Sequence, residues 1–240
     1  MTQGSTPRWA IELTGHTFDI ADWGDVLKQP FDPWGERNGE TFVLRWSGFH
    51  DTDTAADVHE KAPAVVEQLN GAMWIERETR PLSIAGVIQY NTDGTRNTIM
   101  RAGTGHFEGR SRVTAHGIIL RADGTIAPPP PPQPSEVQEW IRLSDTHEIL
   151  ADALVYFSRV EWFDIYKAIE CLEAFVGGEG ALRQLNWINA TKFKQLKQTA
   201  NSFRHRSGGI HKAPEQPVPL KEARQLLATL MRQAFKRVKR

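Results

Sequence analysis

Residues 191–212 read TKFKQLKQTANSFRHRSGGIHK. Taken as a helix over 190–203, the stretch places Phe193, Leu196, Ala200 and Phe203 on one side, at i, i+3, i+7 and i+10. Lys194, Lys197, Asn201 and Arg204 run along an adjoining strip. Ser207, Gly208 and Gly209 then favour chain reversal over a longer helix. The spacing therefore predicts Arg204, His205, Arg206 and His211 gathered at the C-terminal end of this helix, where its dipole favours cations. A helix with a single apolar side needs neighbours to cover it, and the flanking sequence supplies them.

Upstream, 161–176 spaces Trp162, Ile165, Ile169, Leu172 and Val176 by threes and fours, the pattern of a bundle seam, and a neighbouring strip carries Phe163, Tyr166, Glu170 and Glu173. Gly177, Gly178 and Gly180 end that helix, and a short helix follows over 182–188. Residues 136–159 read as helix, with a second start at Ser144 or Asp145. Pro214, Pro217 and Pro219 interrupt the pattern before a last helix over 220–238, with Leu220, Ala223, Leu227, Leu230, Ala234 and Val238 on one face. Residues 136–240 are expected to form an all-α bundle.

Before it, Pro128 to Pro132 and Pro134 withhold backbone donors and predict an extended linker over 128–135. The pattern of 1–127 is different. Strands are expected over 8–14, 40–49, 82–90, 97–102 and 110–121, and a helix over 54–73 that Asn70 and Gly71 are suited to end. The Asp-, Gly- and Pro-rich stretch after the first strand reads as loop with one helical turn. Together these predict an α+β domain on an antiparallel sheet, ahead of the all-α bundle.

Length, 240 residues, suits two modest domains or one large one. No apolar run reaches a membrane span, and the opening MTQGSTPRW lacks the apolar core of a signal peptide; a cytoplasmic chain is expected, with no membrane partner. Cys171 is the single cysteine, which excludes an internal disulfide and a multi-cysteine metal site. Formal net charge is zero, yet 190–240 holds 13 Lys and Arg against two acids, or +11, leaving 16 bases and 27 acids, or −11, for 1–189. A basic segment on an acidic body predicts an anionic partner such as nucleic acid, or mutual neutralisation of the two parts.

Cleaving RNA without a metal takes a base for the 2′-hydroxyl, an acid for the leaving oxygen and cations for the developing charge. Histidine titrates near neutrality and arginine offers a fixed fork to phosphate oxygens. Four residues separate Arg206 from His211, and six separate Arg204 from it. Other constellations carry less. The glycines of GTGHFEG over 103–109 match neither a dinucleotide nor a Walker spacing, and read as a hairpin loop. His50, Asp51, Asp53 and His59 lack a second ligand cluster, and the run ending at Thr54 reads as a helix cap. No metal and no cofactor is expected.

The Arg-x(4 to 6)-His element after a helix, preceded by a helix bearing YKAIECLE, resembles the HEPN superfamily of helical-bundle domains, over about residues 140–240. The resemblance implies a metal-independent endoribonuclease of a defence or toxin-like system. It also implies a homodimer in which two Arg/His motifs form one composite site. Arg206 or Arg204, and His211, match the motif; Asn201 corresponds to a polar neighbour and Glu170 to an acid on the facing helix. The family usually sets a polar residue such as Asn directly after the arginine, where this chain has His205 or Ser207. A β-rich domain ahead of such a bundle also resembles a class of anti-phage proteins, and implies a sensing or regulatory role for 1–127.

His211 is thus expected as general base or acid, Arg204 and Arg206 as phosphate clamps and His205 as a second proton carrier. Lys192, Lys194, Lys197, Lys212, Lys236 and Lys239, with Asn201, would contact RNA or another nucleic acid, and Tyr166 and Glu170 would support the clamp. The competing expectation is a helical module that oligomerises or docks nucleic acid without cutting it. A DNA-binding regulator ranks below both, since no helix-turn-helix is evident.

Overall fold

The computed structural model describes residues 8–91, 93, 95–100, 131–204 and 214–239. Five strands form one antiparallel sheet: β1 (Trp9–Thr14), β2 (Trp34–Asn38), β3 (Thr41–Arg45), β4 (Ser83–Tyr90) and β5 (Arg96–Met100), in the order β2-β3-β1-β4-β5. Alternation along β1 sends Trp9, Ile11 and Leu13 into the main core, while Ala10 meets Val43 and Ile88 on the opposite face. The register fixes this, with Ile11 opposite Leu44 and Val87.

Among the described residues, α1 (Thr17–Val26) and α2 (Ala55–Arg77) are the α-helices of this part. The stretch after β1 is not the loop that its composition predicts: it holds α1 and the edge strand β2. Ile20, Trp23 and Val26 are buried at steps of three, and the Asp and Gly between them mask that period. Gly35 lets β2 lie close to β3, since a Cβ there would come within 2.4 Å of the Val43 carbonyl oxygen. The strand expected over 40–49 stops at Arg45, and Ser47–Phe49 turns as a 3-10 helix.

Helix α2 starts at Thr54, whose hydroxyl accepts from the Asp57 N–H while the Asp57 carboxylate accepts from the Thr54 N–H, a capping box. It does not end at Asn70 and Gly71. Both lie inside it for tertiary reasons. The Asn70 amide donates to the Leu82 carbonyl at 3.0 Å and accepts from the Leu82 N–H at 2.8 Å, tying α2 to the chain entering β4. Gly71 lets the backbone of a later helix pass: a Cβ would sit 2.3 Å from the Leu154 oxygen.

From Glu136 on, the described residues form helices α3 (Glu136–Ser144), α4 (Glu148–Ser158), α5 (Trp162–Val176), α6 (Glu179–Gln184), α7 (Ala190–Phe203) and α8 (Leu220–Val238). Residues 131–135, the described end of the proline run, form neither helix nor strand. The short helix α6 starts earlier than its expected 182–188; Gly177, at φ +95°, ends α5, and Gly180 lies inside α6. Helix α2 packs on α3 and α4, α4 on α5, and α5 on α7 and α8. One buried cluster accordingly runs from Trp9 through Val66, Leu154 and Ile169 to Phe235. Gln138 adds a polar tie. Its side-chain amide donates to the carbonyls of Lys28, Phe31 and Pro33, each at 2.9 Å, fastening α3 to the segment between α1 and β2. No helix among the described residues is long and apolar enough to cross a membrane.

Candidate functional site

The strip of α5 beside its apolar seam faces α7, and this pairing builds the site. Arg204 caps α7, its N–H still bonded to the Ala200 carbonyl, so its side chain starts from a fixed point. The guanidinium lies 3.7 Å from the centre of the Tyr166 ring, and Nη1 is 4.0 Å from Glu170 Oε1. Glu170 also accepts from Lys167 at 2.8 Å. One helical turn along, Lys197 donates to Glu173 and to Glu179, both at 2.6 Å. Lys197 therefore joins α5, α6 and α7.

Burial alone would lower the Lys197 pKa, but hydrogen bonds and charge from Glu173 and Glu179 outweigh it and raise the net value. For Glu173, burial raises the pKa against the opposing pull of Lys197. Glu179, more exposed, is lowered by the Lys197 hydrogen bond. Lys197 is thus a bound structural cation, and its charge is spent on these two carboxylates.

Tyr166, Glu179, Arg183, Lys194, Lys197, Gln198 and Asn201 line a cavity of about 220 Å³ next to this network. Arg183 pairs with Glu179. Lys194 is exposed and has no ion pair among the described residues. Asn201 Oδ1 is buried and finds no hydrogen-bond partner among the described residues. An acceptor in that state costs stability unless something donates to it.

Of the residues singled out in the sequence, the fold brings together Tyr166, Glu170, Lys194, Lys197, Asn201 and Arg204 at the α5–α7 face. His205, Arg206, His211 and Lys212 lie outside the described residues, as do the expected strand over 110–121 and the loop over 103–109. Lys192 pairs with Glu222 at 2.7 Å and Lys239 with Glu139 at 3.7 Å. Sequence reasoning did not single out Arg183 or Glu179. Their signal was available, since a glycine pair followed by an acid and, four residues on, an arginine is a helix start with an i,i+4 pair.

Among the described residues no group of three or more His, Cys, Asp or Glu is placed to hold a metal. Burial, with Asp152 and Glu170 adding to it, pushes the Cys171 thiol up to about 11, so it is protonated at neutral pH and a poor nucleophile. Comparisons with family models, curated proteins and solved structures return no match for this chain.

Proposed function

We propose that the α5–α7 face is an RNA-binding surface of a HEPN-like bundle and that the chain is a metal-independent endoribonuclease of the defence or toxin type. The observation that supports this is the state of Arg204. It is stacked on Tyr166 and steered by Glu170, beside a cavity with Arg183 and Lys194 on its wall, and the sequence continues directly into His205, Arg206 and His211. A planar guanidinium oriented by an aromatic ring and a carboxylate suits recognition of phosphate oxygens. His211 would then move the 2′-hydroxyl or leaving-group proton, with His205 as the second carrier. Asn201 Oδ1 would accept from a ribose hydroxyl or base amine.

Incubating the protein with labelled single-stranded RNA in EDTA, beside His211→Ala and Arg204→Ala, tests the reading. Cleavage by the wild type that both substitutions abolish, with His211→Ala still binding RNA, supports it. Binding without cleavage in every sample supports a docking module instead.

One observation bears on assembly. Phe163 and Phe203 are 49% and 48% exposed, and Trp162 stacks on Phe203 at 5.5 Å. Such an aromatic cluster beside the Arg204 end of α7 suits a homodimer contact that would bring two motifs together, and it equally suits the alternative of a non-catalytic oligomerisation module. Residues 1–127 would regulate the bundle or sense a trigger.

A further inference from the structure

Away from the α5–α7 face, the end of α2 meets the chain entering β4, the end of α4 and the start of α8. Asn70, Trp74, Glu78 to Pro81, Ser158, Val160 and Arg224 line a partly open cavity of about 210 Å³ there. Arg224 is the unusual member. Its guanidinium lies 4.1 Å from the Trp74 ring centre, and an Nη donates to the Phe157 carbonyl at 3.4 Å. No carboxylate pairs with it at salt-bridge distance among the described residues, and its Nε is buried without an acceptor. Thr79, on the same wall and 2% exposed, holds a buried hydroxyl that also lacks a partner among the described residues.

A half-buried guanidinium with no carboxylate at salt-bridge distance is costly, and so is a buried, unmatched hydroxyl. Here both border one cavity. We propose that this seam is a binding site for a small anion, a carboxylate or phosphoryl group, with Arg224 as its counter-charge, Thr79 as a hydrogen-bond donor and Trp74 as an apolar wall. Burial pushes the Arg224 pKa down to about 10 against the pull of Glu78. Arg80 and Glu78 also line the cavity. The volume lies below the roughly 300–1,000 Å³ of sites for drug-sized molecules, so the occupant is small. Because the wall is drawn from both the sheet-bearing and the helical parts, an occupant would bridge them.

The test is calorimetric titration of the full chain with benzoate, with inorganic phosphate and with neutral benzamide. One-site binding of benzoate or phosphate with Kd on the order of 1 mM, and none of benzamide, is expected. Which anion binds more tightly separates a carboxylate from a phosphoryl ligand. Thr79→Val, nearly isosteric, should weaken binding about tenfold by removing a hydrogen bond to a charged group, and Arg224→Met should abolish it. Should Arg224→Met fail to fold, Thr79→Val decides alone. No saturation by either anion up to roughly 30 mM overturns the proposal. So does binding that Thr79→Val leaves intact while Arg183→Gln or Lys194→Gln removes it, since the anion would then sit in the α5–α7 cavity.

Discussion

Lys197 shows why a cation on a helix strip cannot be assigned from its strip alone. The same spacing that lines it up with Lys194 and Arg204 brings it between two carboxylates, with its side chain only 19% exposed. Lys197→Met should lower stability at neutral pH by about 2 kcal/mol, because Glu173 is left part-buried and unpaired; denaturant unfolding measures this. The sign with pH follows from the shifts. The raised Lys197 pKa gives stability that is complete below its unfolded value near ~10.4 and is lost as pH rises through the folded one. The lowered Glu179 pKa gives stability that is present above 4.5 and is lost as pH falls through the folded value. Wild type and Lys197→Met should therefore differ most between about pH 6 and 9 and converge on both sides. Gln138 makes a second residue-scale case: Gln138→Leu removes the donor from three carbonyls and should cost about 2–3 kcal/mol in the same assay.

Helix α2 begins on a local signal and continues past Asn70 and Gly71 on a tertiary one. Its N-terminal cap was readable at Thr54, but its end was not, because Asn and Gly are ordinary stop residues and only their partners reveal another use. Gly71→Ala would push a methyl group into the Leu154 carbonyl and should destabilise by about 3 kcal/mol, read as a lower melting temperature. Pro63 sits inside the same helix on its exposed side. It withholds a helix hydrogen bond, so Pro63→Ala should raise stability by about 1–2 kcal/mol, reduced from the full helix penalty by the freer unfolded chain. Helices α5, α7 and α8 lay closer to expectation. Each has one unbroken apolar period and Gly, Pro or Asn at its borders, so local signals and packing agree.

For the molecule as a whole, the charge asymmetry has two outlets. Lys197, Arg204 and Lys239, from the basic segment, meet Glu173, Glu179, Glu170 and Glu139 of the acidic remainder. Lys194 and Lys236 are exposed and form no ion pair among the described residues. RNA affinity, if carried by this face, should fall log-linearly with salt, with a slope set by the few unspent cations rather than by all thirteen Lys and Arg of the segment. Filter binding between low and moderate salt checks it; a salt-independent affinity would exclude the phosphate contacts. Phe203→Asp should shift the proposed dimer toward monomer in sedimentation, with little change in the unfolding midpoint, because Phe203 is 48% exposed.

The amino-acid order alone determined the alternation of β1 and β3, the apolar stripes of the long helices and the two strips that carry Tyr166 and Glu170 on one helix and Lys194, Lys197, Asn201 and Arg204 on another, since these depend on periods of two and 3.6 residues. Tertiary structure decided the rest. It turned Asn70 and Gly71 into packing residues, formed α1 and β2 from a polar stretch, placed Arg224 and Thr79 around one cavity and matched Lys197 with Glu173 and Glu179. Those outcomes depend on groups distant along the chain meeting across a seam, and no local period encodes which carboxylate or carbonyl will be there.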